Sequence, residues 1–215
     1  MLTDVVLDQI AEDLSQQSWS VQTDAIPEEF LIALREQLLH MNQQDFQLAG
    51  IGRSQDHMLA PSIRRDKVRW IEGETPAERL WLEWAAHLQR GLNRRLFMGL
   101  FSFESHFAHY RPGDFYKKHF DAFRPDGLER GARRELSLVV YLNPDWIDGD
   151  GGELVLFDPR SDGEICRIHP QYGTVVVFLS TEVPHEVLPA GRDRYSIAGW
   201  FRLNGSLAER PDPPR

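Results

Sequence analysis

Cysteine is nearly absent from this chain: Cys166 is the only one in 215 residues. A single thiol excludes an internal disulfide and every zinc site built from two or more thiolates. Any metal must then be held by His, Asp or Glu, and eight histidines are available. Long apolar runs are missing too, since no stretch approaches the roughly 18 uninterrupted apolar residues that suggest a membrane span. Basic charge is in the minority, 24 Lys and Arg against 33 Asp and Glu, for a formal net charge of −9. That balance argues against broad binding to nucleic acid or to anionic membranes. Neither a phosphate-binding glycine loop nor a G-x-S-x-G nucleophile elbow occurs. The start, Met1-Leu2-Thr3-Asp4, is acidic and leads into an amphipathic pattern, so it does not read as a secretory signal. A soluble, cytoplasmic monomer is the expectation.

What is present suffices for one substantial core: 41% of residues are hydrophobic and 27% charged, close to the globular average. Residues 1–215 are read as a single α+β domain. Its first part, 1–49, is helical: Val6, Ile10 and Leu14 recur at helical spacing, and a second helix starts at Pro27 with Phe30, Leu31, Leu34, Leu38 and Met41 on one face. The period fails between Gly50 and Gly73, where a basic run ends in the strand-like Val68–Ile71. Thr75-Pro76 and Glu78 announce a third helix with Leu80, Trp84, Leu88 and Leu92 as its buried stripe. Trp81 and Trp84 read as core residues.

After Phe101 short β-type runs recur: Ser105–Arg111, Leu136–Leu142, Glu153–Phe157, Thr174–Leu179 and Tyr195–Phe201. Turn signals separate them at 111–114, 148–152, 170–173 and 189–191. Many short strands without intervening helices predict an antiparallel barrel or jelly roll over about 100–203, with the helices packed on one outer face. The proline-rich end, 210–215, reads as a loose tail.

His119-Phe120-Asp121 places a histidine and a carboxylate two residues apart, on one face of a strand. The pair alone is weak, because composition would supply about 0.6 such pairs by chance. Support comes from His185, which follows the apolar strand Thr174–Leu179. Two histidines and one carboxylate form the facial triad of non-haem iron(II) oxygenases. Arg194 heads the last strand, where an inward guanidinium needs a partner that a dicarboxylate supplies by bidentate pairing.

Several ordered segments carry a resemblance: 63–73, His109-Tyr-Arg-Pro-Gly113 leading to His119-x-Asp121, Tyr141-Leu-Asn-Pro-Asp-Trp146, Gly151-Gly-Glu-Leu154, Pro184-His-Glu-Val187 and Arg194–Trp200. Over roughly 50–203 the chain resembles the 2-oxoglutarate- and Fe(II)-dependent prolyl 4-hydroxylases of the oxygen-sensing, hypoxia-inducible-factor type, especially bacterial counterparts acting on elongation factor Tu. The resemblance implies a double-stranded β-helix (jelly-roll, cupin-like) core. It implies Fe(II) held by His119, Asp121 and His185, with 2-oxoglutarate and O2 as cosubstrates and ascorbate as an auxiliary reductant. Arg194 and Tyr141 would bind the distal carboxylate of 2-oxoglutarate, Tyr110 would lie beside the iron and Trp200 would line the pocket. The activity implied is hydroxylation of proline in a protein partner such as elongation factor Tu, with release of succinate and CO2. Ser54–Arg69 corresponds to the family's substrate-closing loop, with Arg64, Arg65, Asp66, Lys67 and Arg69 as contact candidates. One departure is Ala198, where relatives often carry a threonine.

Other signals read as structural. His106 and His109 face opposite sides of a strand, and Arg133-Arg134 reads as solvated surface. Pro189 stands where the second histidine of a zinc-protease motif would be. Pro159 stands where a calcium loop beginning at Asp148 needs its glutamate. The alternatives to a prolyl hydroxylase are a 2-oxoglutarate oxygenase acting on another residue or a small molecule, and a non-catalytic jelly-roll binding module.

Overall fold

A computed structural model describes residues 2–50, 60–122 and 133–204. The chain begins with helix α1 (Asp4–Gln17), strand β1 (Trp19–Gln22) and helix α2 (Glu28–His40). A short 3-10 turn precedes β2 (Gln47–Leu48) and β3 (Lys67–Trp70), and then comes the long helix α3 (Pro76–Leu96). The β-rich part follows as β4 (Leu100–Tyr110), β5 (Tyr116–His119), β6 (Arg134–Tyr141), β7 (Leu154–Phe157), β8 (Glu164–Ile168), β9 (Val175–Leu179), β10 (His185–Val187) and β11 (Arg194–Leu203).

The helix starts follow their capping chemistry. Thr3 accepts a hydrogen bond from the Val6 amide at 3.3 Å, and Thr75 accepts one from the Glu78 amide at 3.1 Å. Pro76 occupies the first turn of α3, where its missing N–H costs nothing. The buried stripe of α3 is Trp81, Trp84, Leu88 and Leu92. Leu80, expected in that stripe, is 50% exposed, because Trp81 occupies the core-facing position beside it. The Trp81 indole stacks on Trp84 at 5.4 Å and donates to the Ser105 hydroxyl.

The strands form two antiparallel sheets. The larger has the order β1-β9-β6-β11-β4-β3-β2 and the smaller β5-β10-β7-β8, a double-stranded β-helix. Side chains alternate across the larger sheet. Phe103, Phe107, Leu136, Leu138, Val140, Ile197 and Phe201 pack toward the helices. Ala108, Tyr110, Tyr141, Val176 and Phe178 turn toward the smaller sheet. The helices therefore cover one face, as the pattern predicts, and the other face is free to build a site between the sheets.

Three strands go beyond the sequence expectation. Tyr-Lys-Lys-His in β5, Glu-Ile-Cys-Arg-Ile in β8 and His-Glu-Val in β10 are too short or too charged to carry a period. Two short strands, β1 and β2, also interrupt the helical opening segment. The 148–152 stretch is a turn, with Asp150 accepting from the Ile147 amide and Gly149, Gly151 and Gly152 at positive φ. The proposed loose tail, 210–215, lies outside the described residues.

Candidate functional site

Strand pairing brings two of the three triad residues together. His185 opens β10 and is the direct cross-strand partner of His119, the last residue of β5. Their ring centroids are 4.3 Å apart. Asp121 lies just past the end of β5, in a bend. Its Oδ1 is 3.6 Å from His119 Nε2, and its Oδ2 is 3.7 Å from His185 Nε2. The three ligand atoms lie within 4.8 Å of one another.

The imidazole tautomers follow from their other contacts. His119 Nδ1 faces the Lys117 carbonyl at 2.7 Å, and His185 Nδ1 faces the Val183 carbonyl at 3.1 Å. A carbonyl only accepts, so each Nδ1 carries a proton and each Nε2 is the ring nitrogen that faces Asp121. Burial pushes His185 down to about 4, with His119 adding to the effect and Asp121 opposing it. Burial alone would raise the Asp121 carboxyl. His185, together with a hydrogen bond and charge from His119, nevertheless holds it well below the usual carboxylate range. With Nε2 deprotonated, as metal binding requires, two imidazoles and one carboxylate are a donor set for a divalent transition metal.

The same cavity reaches Arg194, which is 1% exposed. Its Nε donates to the Gly152 carbonyl at 2.8 Å and its Nη1 to the Ser196 hydroxyl at 3.4 Å. No carboxylate among the described residues pairs with it. A buried guanidinium held only by neutral groups lacks the counter-charge that burial normally demands. Tyr110 and Tyr141 flank it, their ring centroids 4.8 and 5.0 Å from its central carbon. The buried Tyr141 hydroxyl makes no hydrogen bond to any of the described residues. Burial pushes it up to about 12, against the pull of Arg194, so it remains a donor.

Trp200 also lines the cavity, as do Arg64 and Asp66. Arg64 and Asp66 are locked in a bidentate pair, and the Arg64 guanidinium lies 4.3 Å from the Tyr116 ring centroid. Tyr116 in turn stacks on His119 at 3.5 Å. The remaining loop candidates are placed elsewhere. Arg65 donates to the Pro61 carbonyl and covers Phe115. Arg69 is engaged by Glu74 and Glu78. Lys67 does not line the cavity. The start of the expected closing loop, 54–59, lies outside the described residues.

Two residues read as structural or solvated in fact face the cavity. Arg134 pairs with Glu104 and lies over Trp200 at 3.6 Å, because a register slip between Leu136 and Arg134 in the β6–β11 pairing breaks the alternation and turns it to the site side. His106 is directly opposite Ala198 in the β4–β11 pairing and sits edge-on to Trp70. Burial pushes it down to about 4, with the Arg64 charge adding to the effect. His109 points to the other face and meets Asp193 at 2.7 Å, so the expected opposition of the two histidines is observed. Ser137 was not singled out by any motif, yet its hydroxyl donates to Asp121 Oδ2 at 2.7 Å. A lone serine in an apolar strand carries no sequence signal.

The comparisons with known proteins agree with this geometry. A family model described as the 2OG-Fe(II) oxygenase superfamily matches residues 105–202. The chain is similar to the crystal structure of a Pseudomonas putida prolyl-4-hydroxylase, with a TM-score of 0.80 and 39% identity, covering 92% of this chain and 98% of that one. The chain belongs to the 2OG-Fe(II) oxygenase superfamily. It shares its fold, at TM-score 0.78 and 24% identity, with a Trichoplax adhaerens prolyl hydroxylase in complex with a hypoxia inducible factor peptide fragment, covering 92% of this chain and 89% of that one. It is also 29% identical to the human Egl nine homolog 1 over 157 residues, which are 69% of this chain but only 35% of that protein.

This superfamily uses Fe(II), 2-oxoglutarate and O2. The cavity fits the first two: three donor atoms converge at one place, and at another stand a guanidinium and a hydroxyl that lack a carboxylate and a hydrogen-bond partner, respectively, among the described residues. Among the described residues, no helix is long and apolar enough to cross a membrane.

Proposed function

We propose that this oxygenase is a prolyl 4-hydroxylase acting on a protein substrate, with elongation factor Tu as the candidate, and releasing succinate and CO2. The observation that carries the reading is the buried Arg194, without a carboxylate partner among the described residues, in the cavity that also holds His119, Asp121 and His185. The similarity to the Pseudomonas putida enzyme supports the choice of proline.

In this reading His119, Asp121 and His185 hold Fe(II), which when bound supplies the oxidising chemistry that joins 2-oxoglutarate decarboxylation to C–H hydroxylation. His119 and His185 would offer Nε2 lone pairs to the ion, and the Asp121 charge would offset part of its own. Arg194 would neutralise the distal carboxylate of 2-oxoglutarate, and the Tyr141 hydroxyl would donate a hydrogen bond to the same group. Val139, Leu154 and Val187 line the cavity with apolar surface that excludes water. Tyr110 packs beside Arg194, and Trp200 under Arg134 bounds the space for the peptide. Arg64 and Asp66, already paired, present a preformed polar wall to that peptide.

The test is conversion of 2-oxoglutarate to succinate with a proline-containing peptide from the candidate loop, together with a mass gain of one oxygen atom. Asp121→Ala is expected to abolish both. If turnover survives in Asp121→Ala, the ligand assignment is wrong. A mass-spectrometric search of lysate proteins after treatment distinguishes proline from other residues, and a small-molecule enzyme would leave no protein mark.

A further inference from the structure

The three expected metal ligands are not held in place by the same means. His119 and His185 sit opposite each other in paired strands, and each ring is fixed by its Nδ1 bond to a backbone carbonyl. Asp121 lies beyond the end of β5, so no ladder restrains it. Its carboxylate is instead gripped by a side chain from the other sheet. Ser137, in β6, donates to Asp121 Oδ2 at 2.7 Å, and the Ser180 hydroxyl lies 2.8 Å from the Ser137 hydroxyl. Both serines are buried.

The direction of this chain follows from proton counting. An ionised carboxylate only accepts, so Ser137 spends its single proton on Asp121. The Ser137–Ser180 contact must then use the proton of Ser180. Each bond polarises the next, which strengthens the grip on the carboxylate. Ser180 is itself anchored: its amide donates to the Glu135 carbonyl at 3.0 Å, and its carbonyl accepts from the Ala122 amide at 3.3 Å, one residue past the ligand. Ser180 also sits in the turn between β9 and β10, five residues before His185.

We propose that Ser137, backed by Ser180, is the positioning device of the metal centre: it occupies Asp121 Oδ2, leaves Oδ1 to the ion, and ties the unpaired ligand to the turn that carries His185. The inference rests on the proposed ligand set. Groups that orient metal ligands typically contribute ten- to hundredfold in affinity.

The experiment is an anaerobic Mn(II) titration of the full-length protein, reading free Mn(II) by electron paramagnetic resonance. Ser137→Ala is expected to weaken Mn(II) binding about ten- to hundredfold. Ser137→Thr, which keeps the hydroxyl, should restore most of the affinity, and Ser180→Ala should show a smaller loss than Ser137→Ala. Melting of the metal-free variants checks that they fold; if Ser137→Ala does not, Ser180→Ala and Ser137→Thr decide. Wild-type affinity in Ser137→Ala, or in Ser180→Ala when Ser137→Ala does not fold, overturns the proposal, as does a failed rescue by Ser137→Thr. Wild-type affinity in Asp121→Ala is a different failure, because it removes the metal-centre reading itself and the serine role with it.

Discussion

Replacing Arg194 by methionine separates a ligand-binding arginine from a structural one. In the protein alone this guanidinium is buried and held by one backbone carbonyl and one hydroxyl, with no countercharge among the described residues. Removing it should therefore cost the metal-free protein little, because an apolar side chain of similar volume often substitutes for a buried charge without loss. Binding of 2-oxoglutarate should suffer heavily. Breaking one half of a buried ion pair costs roughly 3–5 kcal/mol, which is about two to four decades in Kd.

Thermal shift of the Mn(II)-loaded protein under nitrogen reads both effects. At a hundredfold excess over its Kd, a ligand stabilises by about 2.7 kcal/mol. For a chain of this size that is roughly 5–11 °C, at about 2–4 °C per kcal/mol. The same 2-oxoglutarate concentration should move Arg194→Met by less than about 2 °C. 2-Oxobutyrate, which lacks the distal carboxylate, should shift the wild type as little. An undiminished shift in Arg194→Met would refute the pairing. A large fall in the melting temperature of the metal-free variant would show that the arginine already serves the fold.

Gly152→Ala reaches the same group indirectly. Gly152 has φ +68°, and a Cβ there would meet Arg194 Cδ at 2.9 Å. The left-handed backbone alone costs about 1–2 kcal/mol, and the guanidinium must shift as well. A lower melting temperature and a reduced 2-oxoglutarate shift are expected, and retention of both values would show that the contact yields freely. His106 sets a pH dependence in the metal-free protein. Unfolded histidine titrates near 6.5, whereas burial holds folded His106 at about 4, so the unfolded chain binds more protons between those values. Stability should fall as pH drops from about 6.5 toward about 4, by up to about 1.4 kcal/mol per unit from this residue. His106→Phe should flatten the slope in urea melts at pH 7, 6 and 5, and parallel slopes would contradict the assignment.

Much of the site is visible in one dimension. Local spacing puts His119 and Asp121 together, because two residues along an extended chain span little distance whatever the rest of the chain does. The apolar period of β9 and β11 likewise marks the strands that lead to His185 and contain Arg194. The lone cysteine confines metal chemistry to imidazole and carboxylate. The α3 stripe, by contrast, shows where local reading slips by one position: Leu80 and Trp81 are both apolar, and only the packed sheet shows which is covered.

Folding itself decides the partners. His185 meets His119 because β10 pairs antiparallel with β5 across 66 positions of sequence, and nothing in either short segment specifies that match. Arg134 and His106 resemble ordinary surface and core residues until a register slip at the start of β6 and alternation in β4 turn them toward the cavity. The serines have no signal at all, since a hydroxyl acquires meaning only from the group it touches. Residue type and spacing set which chemistry is possible. Long-range strand pairing sets which atoms share a cavity, and only that pairing sets Ser137 beside Asp121 and leaves Arg194 buried without a carboxylate among the described residues.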